Sequence, residues 1–380
     1  MNIARPMLIR AAILHTSGAI RPYRRTQPLL IEELTLDPPG PGEVLISVRA
    51  AGLCHSDLSV IDGNRPRPLP MVLGHEAAGV VEALGPGISD LVIGDHVVTA
   101  FVPSCGICES CEASRPALCE PGATSNTAGT LLGGARRLGW RGSPVNHHLG
   151  ISAFATSAVV SRRSLVKVDR SLPFDHAALF GCAVMTGVGA VVNTADVFPH
   201  ARIAIIGLGG VGLAALLGAR HRAADTLVAI DISDAKLALA QELGASLCVN
   251  ASDPACVERI RAATAGGVDF AFEMAGSANA MNLAYRITRR GGTTVSAGLP
   301  PPDAPFTVPH VGLVAEERTV KGSYLGSCDP RRDIPRFIEW FQDGRLPVDR
   351  LVSNHVQFDQ INEAFDTLAD GATVRQVIMM

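Results

Sequence analysis

A run of β-branched and small apolar residues, Ile203–Ile206, passes directly into Gly207-Leu208-Gly209-Gly210-Val211-Gly212 and then into the helix-forming Leu213–Leu217. Few folds accommodate such a strand–turn–helix. Gly207 permits the tight turn, Gly209 lets a pyrophosphate reach the backbone, and Gly212 lets helix and strand pack closely. Gly210 and Val211 open a helix whose free N–H groups and dipole receive phosphate. A dinucleotide site of this kind needs an acidic residue about 20 positions on, at the end of the next strand. Asp231, closing Val228-Ala-Ile-Asp231, stands there. Its carboxylate accepts ribose hydroxyls and repels a 2′-phosphate, which predicts NAD rather than NADP.

The rest of the chain divides around this motif. Up to about Val168, short β-rich runs such as Val44–Val48, Gly79–Ala83 and His96–Ala100 are separated by Gly/Pro turns, the pattern of a mostly antiparallel barrel. From about Asp175, strands alternate with helices. Helices are predicted at Gly210–Arg220, Ser233–Leu243, Pro254–Ala265 and Asn279–Thr288. Strands are predicted at Leu227–Ile230, Leu247–Val249, Val268–Phe272 and Thr293–Ala297. That alternation means a doubly wound parallel sheet. Helices near Ile334–Phe341 and Asp359–Leu368 and a strand Val374–Met379 end the chain.

Composition excludes several classes. With 47% apolar and 18% charged residues, the chain buries a large core. A net charge of −3 and 4% aromatics offer neither a field nor stacking platforms for nucleic acid. The uncharged stretches Ala177–Ala195 and Ile203–Ala219 are broken by Gly, Thr and Asn, so they read as buried segments rather than membrane spans. No secretory signal is visible. A cytoplasmic location is expected, and clustered cysteines are then metal ligands before they are disulfides.

Cys105-Gly-Ile-Cys108-Glu-Ser-Cys111 with Cys119 gives CxxCxxCx7C, four thiols able to close a tetrahedral shell. Structural zinc prefers that set, and an iron–sulfur centre uses the same donors. A second set is dispersed: Cys54 in Cys54-His55-Ser56-Asp57, His75 before Glu76, and Cys182 in an apolar run. One His and two Cys make three protein ligands with an open fourth position, the pattern of catalytic zinc. Spacing alone does not join them.

Taken in order, these motifs with Gly74-His-Glu-Ala-Ala-Gly79, Thr186-Gly187 and Gly298-Leu-Pro-Pro301 resemble the zinc-dependent medium-chain alcohol dehydrogenases, in the layout of the liver-type and glutathione-dependent formaldehyde dehydrogenases. The resemblance spans nearly the whole chain. It implies a fold of class α/β, with a GroES-like catalytic domain formed by 1–184 and 324–380 and a Rossmann NAD domain at 185–323. It also implies two zinc ions per chain, NAD, a small alcohol or aldehyde substrate and a homodimer.

Matched residue by residue, Cys54, His75 and Cys182 are the catalytic zinc ligands and Cys105, Cys108, Cys111 and Cys119 the structural ones. Glu76 matches a carboxylate able to approach the metal, Asp57 the partner of the ligand histidine, and Ser56 the hydroxyl that bonds the alcohol. Thr186 matches the residue packing the nicotinamide, and His55 and Arg375 positions meeting the pyrophosphate. Lys236 lies near the adenosine ribose, with Gly298 and Leu299 also toward the cofactor. By the same matching, Ser56, Arg65, Phe101, Thr124, His148, Leu149 and Leu299 line the substrate channel. Many relatives end their proton relay in a histidine five residues past the first ligand; here that position is Ser59, so water through Ser59, or His55, is expected to substitute. Thiol-adduct formaldehyde dehydrogenases carry an arginine four residues past the last structural cysteine, where this chain has Ala123. Non-catalytic lens-type relatives lose the metal ligands, all of which are present.

Overall fold

The computed structural model describes residues 5–101 and 103–380. Two compact units emerge. One runs to Cys182 and takes in Asp329–Arg336 and Val352–Met380; the other comprises Ala183–Cys328 and Phe337–Leu351.

The first unit is the β-rich one. Strands Met7–Leu14, Leu29–Leu36, Leu138–Trp140, Ser143–His147 and Met71–Val72 close a small barrel. Beside it a larger sheet runs Leu165–Val168, His96–Thr99, Glu76–Leu84, Glu43–Gly52, Arg375–Met379, Val352–Gln357, with Ser157–Ser161 also paired to Glu43–Gly52. Glu43–Gly52 is central because both of its faces are apolar: Val44, Ile46, Val48 and Ala51 join one buried cluster and Leu45 another. The terminal strand pairs antiparallel to it, Val377 opposite Gly52, which brings the start of that strand, Arg375, beside the Cys54 region. Phe154 and Phe365, edge to face at 5.9 Å, sit in the core between sheet and helix.

The second unit is a six-stranded parallel sheet in the order Leu247–Asn250, Thr226–Asp231, Arg202–Ile206, Val268–Glu273, Thr288–Ser296, Thr319–Gly322. Its inner strands are buried on both faces, as a parallel sheet covered by helices requires. Predicted helices end within one to three residues of those seen, for example Gly210–His221, Cys256–Ala263 and Ala278–Ile287. The edge strand Thr319–Gly322 was not predicted. All four of its residues are exposed, so no apolar alternation marks it.

Two features differ from the expected division. Phe337–Leu351 belongs to the second unit, not with the remainder of 324–380. The reason is packing: the Trp340 ring stacks on His221 at 3.9 Å, and Arg350 pairs with Glu242 at 2.9 Å. The apolar stretch after Pro173 is one helix, Phe174–Thr194, with wide π-type turns at Phe180–Val184 and Ala190–Thr194. It is long and apolar enough to cross a membrane, yet 83% of its most apolar window is buried within the protein, which makes it a core helix.

Candidate active site

The three dispersed ligand candidates converge. Sγ of Cys54 lies 4.0 Å from Sγ of Cys182, which lies 3.4 Å from Nε2 of His75. Each arrives by a different route. Cys54 ends the strand Glu43–Gly52 region and starts the helix His55–Ile61; His75 precedes the strand Glu76–Leu84; Cys182 sits in the π turn of the core helix. Such wide turns re-aim a side chain and recur at functional sites. All three are buried, so their ligand atoms have few alternatives to one another or to a metal.

Behind His75 stands Asp57, wholly buried. Its Oδ2 is 3.1 Å from His75 Nδ1, and its Oδ1 accepts the Gly74 N–H at 2.9 Å. Burial alone would raise this carboxyl, but His75 and His148 outweigh it and bring it down to about 2. A carboxylate on Nδ1 selects the tautomer that leaves the Nε2 lone pair for a metal. The bond from Cys182, aided by Arg375 and His75, holds Cys54 well below an ordinary thiol, and Cys182 is raised in turn. This donor set fits a divalent soft-to-borderline ion.

Glu76 is buried next to Cys54, where desolvation lifts it to about 7 against the pull of Arg375. Arg375 approaches it at 3.5 Å and donates to the Leu53 carbonyl at 2.8 Å. A buried carboxylate holds the guanidinium inward, since either charge alone would be costly there.

Other expected residues scatter. His55 is exposed and Ser56 half-buried on the first turn of their helix. The Ser59 hydroxyl donates to the His55 carbonyl at 2.8 Å. Phe101 is nearly buried, its ring edge-on to His75 at 5.1 Å, and Leu149 is buried at a left-handed φ of 54°. Arg65 is half-buried in a loop, and Thr124 is exposed on the helix Glu120–Ala128. His148 is 2% exposed, with Nδ1 3.0 Å from Asp57 Oδ1. Sequence reasoning missed that contact, and also Thr99, whose hydroxyl bonds the His75 carbonyl at 3.2 Å. Neither pairing leaves a local signal.

The four-cysteine loop closes on itself, all four sulfurs within 4.8 Å of one another. Main-chain N–H groups of Cys105 and Gly122 point at Cys119 Sγ, at 3.1 and 3.4 Å. Backbone bonds from Ile107 and Cys108 help bring Cys105 to about 7, against burial. These are the donors that a four-thiolate metal site needs.

In the second unit the glycine loop has the expected shape. Gly207 has φ +90°, and a Cβ there would lie 2.8 Å from Ala275 atoms; a Cβ on Gly212 would stand 1.8 Å from the Gly207 carbonyl. A Cβ on Gly209 meets nothing within 4 Å, which leaves its backbone approachable. Asp231 accepts the Leu208 N–H at 2.6 Å and the Ser233 N–H at 2.9 Å, joining loop to strand end. Lys236 is half-buried on the following helix, and Gly298 packs against Gly276 with Leu299 half-exposed beyond it. Thr186 is buried, one turn past Cys182.

Family profiles match both units: "Alcohol dehydrogenase GroES-like domain" over 40–170 and "Zinc-binding dehydrogenase" over 210–343. A solved alcohol dehydrogenase zinc-binding domain protein from Burkholderia ambifaria is 34% identical, with 99% of each chain covered and a TM-score of 0.92. The chain belongs to the zinc-binding alcohol dehydrogenases. It is also 34% identical to benzyl alcohol dehydrogenase from Acinetobacter calcoaceticus, over 98% of this chain and 99% of that one, with a TM-score of 0.92. An NAD-dependent alcohol dehydrogenase is 25% identical over 98% of this chain and 99% of that one, with a TM-score of 0.78. A member of this family is an oxidoreductase that takes zinc and a nicotinamide dinucleotide and acts on small alcohols or aldehydes.

Proposed function

We propose that this dehydrogenase interconverts primary alcohols and aldehydes with NAD, aromatic alcohols best, using a catalytic zinc held by Cys54, His75 and Cys182 and a structural zinc held by Cys105, Cys108, Cys111 and Cys119. The observation that carries this reading is the convergence of Cys54 Sγ, His75 Nε2 and Cys182 Sγ with Asp57 behind the imidazole. When bound there, zinc supplies a Lewis acid that eases loss of the alcohol's hydroxyl proton.

The chain's own residues do the rest. Asp57 keeps His75 in one tautomer. Ser56 hydrogen-bonds the substrate hydroxyl and passes its proton toward His55, exposed in the same turn. The Ser59 hydroxyl is engaged by the His55 carbonyl, which supports His55 over Ser59 as the outlet. Asp231 and Lys236 would hold the adenosine ribose of a bound dinucleotide, the Gly207–Gly212 loop its pyrophosphate, and Thr186 would pack its nicotinamide, which supplies the hydride chemistry. Phe101, edge-on to His75, offers an aromatic wall to the substrate, and the benzyl alcohol dehydrogenase relative supports an aryl preference.

The protein acts as a cytoplasmic homodimer in this reading. Nine free cysteines suit a reducing compartment. The exposed edge strand Thr319–Gly322, with Val311 at 75% and Val314 at 65% exposure nearby, suits pairing with a second copy. The test is kcat/KM for benzyl alcohol, hexanol and ethanol with NAD or NADP, with and without glutathione and formaldehyde. Benzyl alcohol with NAD should lead. Turnover only of formaldehyde with glutathione would replace this reading with the thiol-adduct one.

A further inference from the structure

The buried carboxylate of Asp57 is straddled by two imidazoles rather than one. His75 Nδ1 lies 3.1 Å from Oδ2, and His148 Nδ1 lies 3.0 Å from Oδ1, the oxygen that also accepts the Gly74 N–H. All three side chains are 0–2% exposed. With one imidazole partner, a carboxylate can still rock about its last bond and take the ligand histidine with it. His75 Nδ1 and His148 Nδ1 both stand within 3.3 Å of Oδ1, so a second ring abuts the carboxylate and narrows that freedom.

His148 is itself fixed before any metal arrives. Its N–H donates to Ser152 Oγ at 3.0 Å, and that hydroxyl donates to the Val72 carbonyl at 2.8 Å. Its carbonyl accepts the Ile151 and Ser152 N–H groups at 3.0 and 3.2 Å. The His75 ring meets His148 edge-on at 5.7 Å on one side and Phe101 at 5.1 Å on another. One orientation of the ligand imidazole remains.

We propose that His148 is a positioning residue for the catalytic metal: its ring, with Nδ1 3.0 Å from Asp57 Oδ1, confines that carboxylate and so holds His75 with Nε2 beside Cys54 and Cys182. The proposal rests on the ligand assignment above. An imidazole that merely fills core volume would be replaceable by any ring of similar size. An anchoring one is replaceable by a short side chain that keeps an N–H donor near the position of Nδ1.

The experiment uses the zinc-loaded enzyme as wild type, His148→Phe, His148→Met and His148→Asn. Zinc release to 1,10-phenanthroline is followed by elemental analysis, and the catalytic site is then filled with cobalt(II) for its ligand-field spectrum. Phe and Met, which keep bulk but lose the donor, should weaken the catalytic site by about 10–100-fold and shift the cobalt bands, the usual cost of losing an outer partner. Asn should stay within about threefold of wild type. The four-thiolate zinc should not change. Wild-type affinity in both the Phe and Met variants overturns the proposal, as does an Asn variant as weak as they are. Measuring Met in parallel keeps the test decisive if Phe does not fold. A wild-type enzyme holding only one zinc would instead defeat the ligand assignment itself.

Discussion

Sγ of Cys54 and Sγ of Cys182 lie 4.0 Å apart although 128 positions separate them in the chain. Two buried thiols at that distance, with His75 at 3.4 Å from the second, form a trap for a metal. Elemental analysis should therefore give two zinc per chain. Cys54→Ser should reduce this to one and abolish turnover with the far-ultraviolet circular dichroism unchanged. Cys111→Ser should instead lower the thermal midpoint, because a closed four-thiolate site contributes to folding.

Asp231→Gly removes a carboxylate that accepts two main-chain N–H groups, from Leu208 and Ser233, and that we propose meets the ribose. The preference for NAD over NADP, read as a ratio of kcat/KM, should shrink by about tenfold or more, one such step being 1.4 kcal/mol. The same change should cost roughly 1.5–3 kcal/mol of stability per charged hydrogen bond lost, less what water regains. An unchanged ratio would remove Asp231 from the ribose.

The glycine loop separates folding from binding. Gly212→Ala puts a methyl 1.8 Å from the Gly207 carbonyl, so the helix must shift, at a cost of about 1–3 kcal/mol. Gly209→Ala meets nothing and should leave the thermal midpoint alone while weakening dinucleotide affinity, because the methyl would enter the space we propose for the pyrophosphate. Calorimetry of both variants with and without NAD resolves the two effects.

His147 gives a pH dependence of stability. Buried, and near Arg136 and Arg137, it falls to about 3 from an ordinary 6.5, and its Nε2 accepts the Arg137 N–H as a neutral ring must. Below pH 6.5 the unfolded chain takes up a proton there that the folded chain refuses. The stabilisation is complete above 6.5 and is lost as pH falls toward 3, by up to about 1.4 kcal/mol per unit. His147→Gln keeps an acceptor and cannot titrate, so its denaturation midpoint should fall less steeply across that window.

What the sequence disclosed was local. Gly207–Gly212, Asp231 and the loop of Cys105, Cys108, Cys111 and Cys119 each carry their chemistry within one turn or one βαβ unit, so spacing alone reveals them. Cys54, His75 and Cys182 did not announce one another; only family resemblance joined them. The surroundings of Arg375 and His148 were not legible because each meets a buried carboxylate supplied from elsewhere, Glu76 and Asp57. Likewise, Thr319–Gly322 is a strand by pairing with Thr293–Ser296 rather than by its own pattern.

The cysteines of the small loop, Cys105 to Cys119, are only 14 positions apart, and their sulfurs already cluster through backbone bonds of the loop itself. Closing a short loop is entropically cheap and fast, whereas the Cys54–Cys182 pair waits for distant strands to meet. During synthesis the loop leaves the ribosome more than sixty residues ahead of Cys182. The first zinc can thus enter a nascent fragment, and the second only a chain whose barrel has assembled. Metal starvation would then leave two different populations: brief scarcity yields folded but inactive protein, while severe scarcity yields chains that never set their loop.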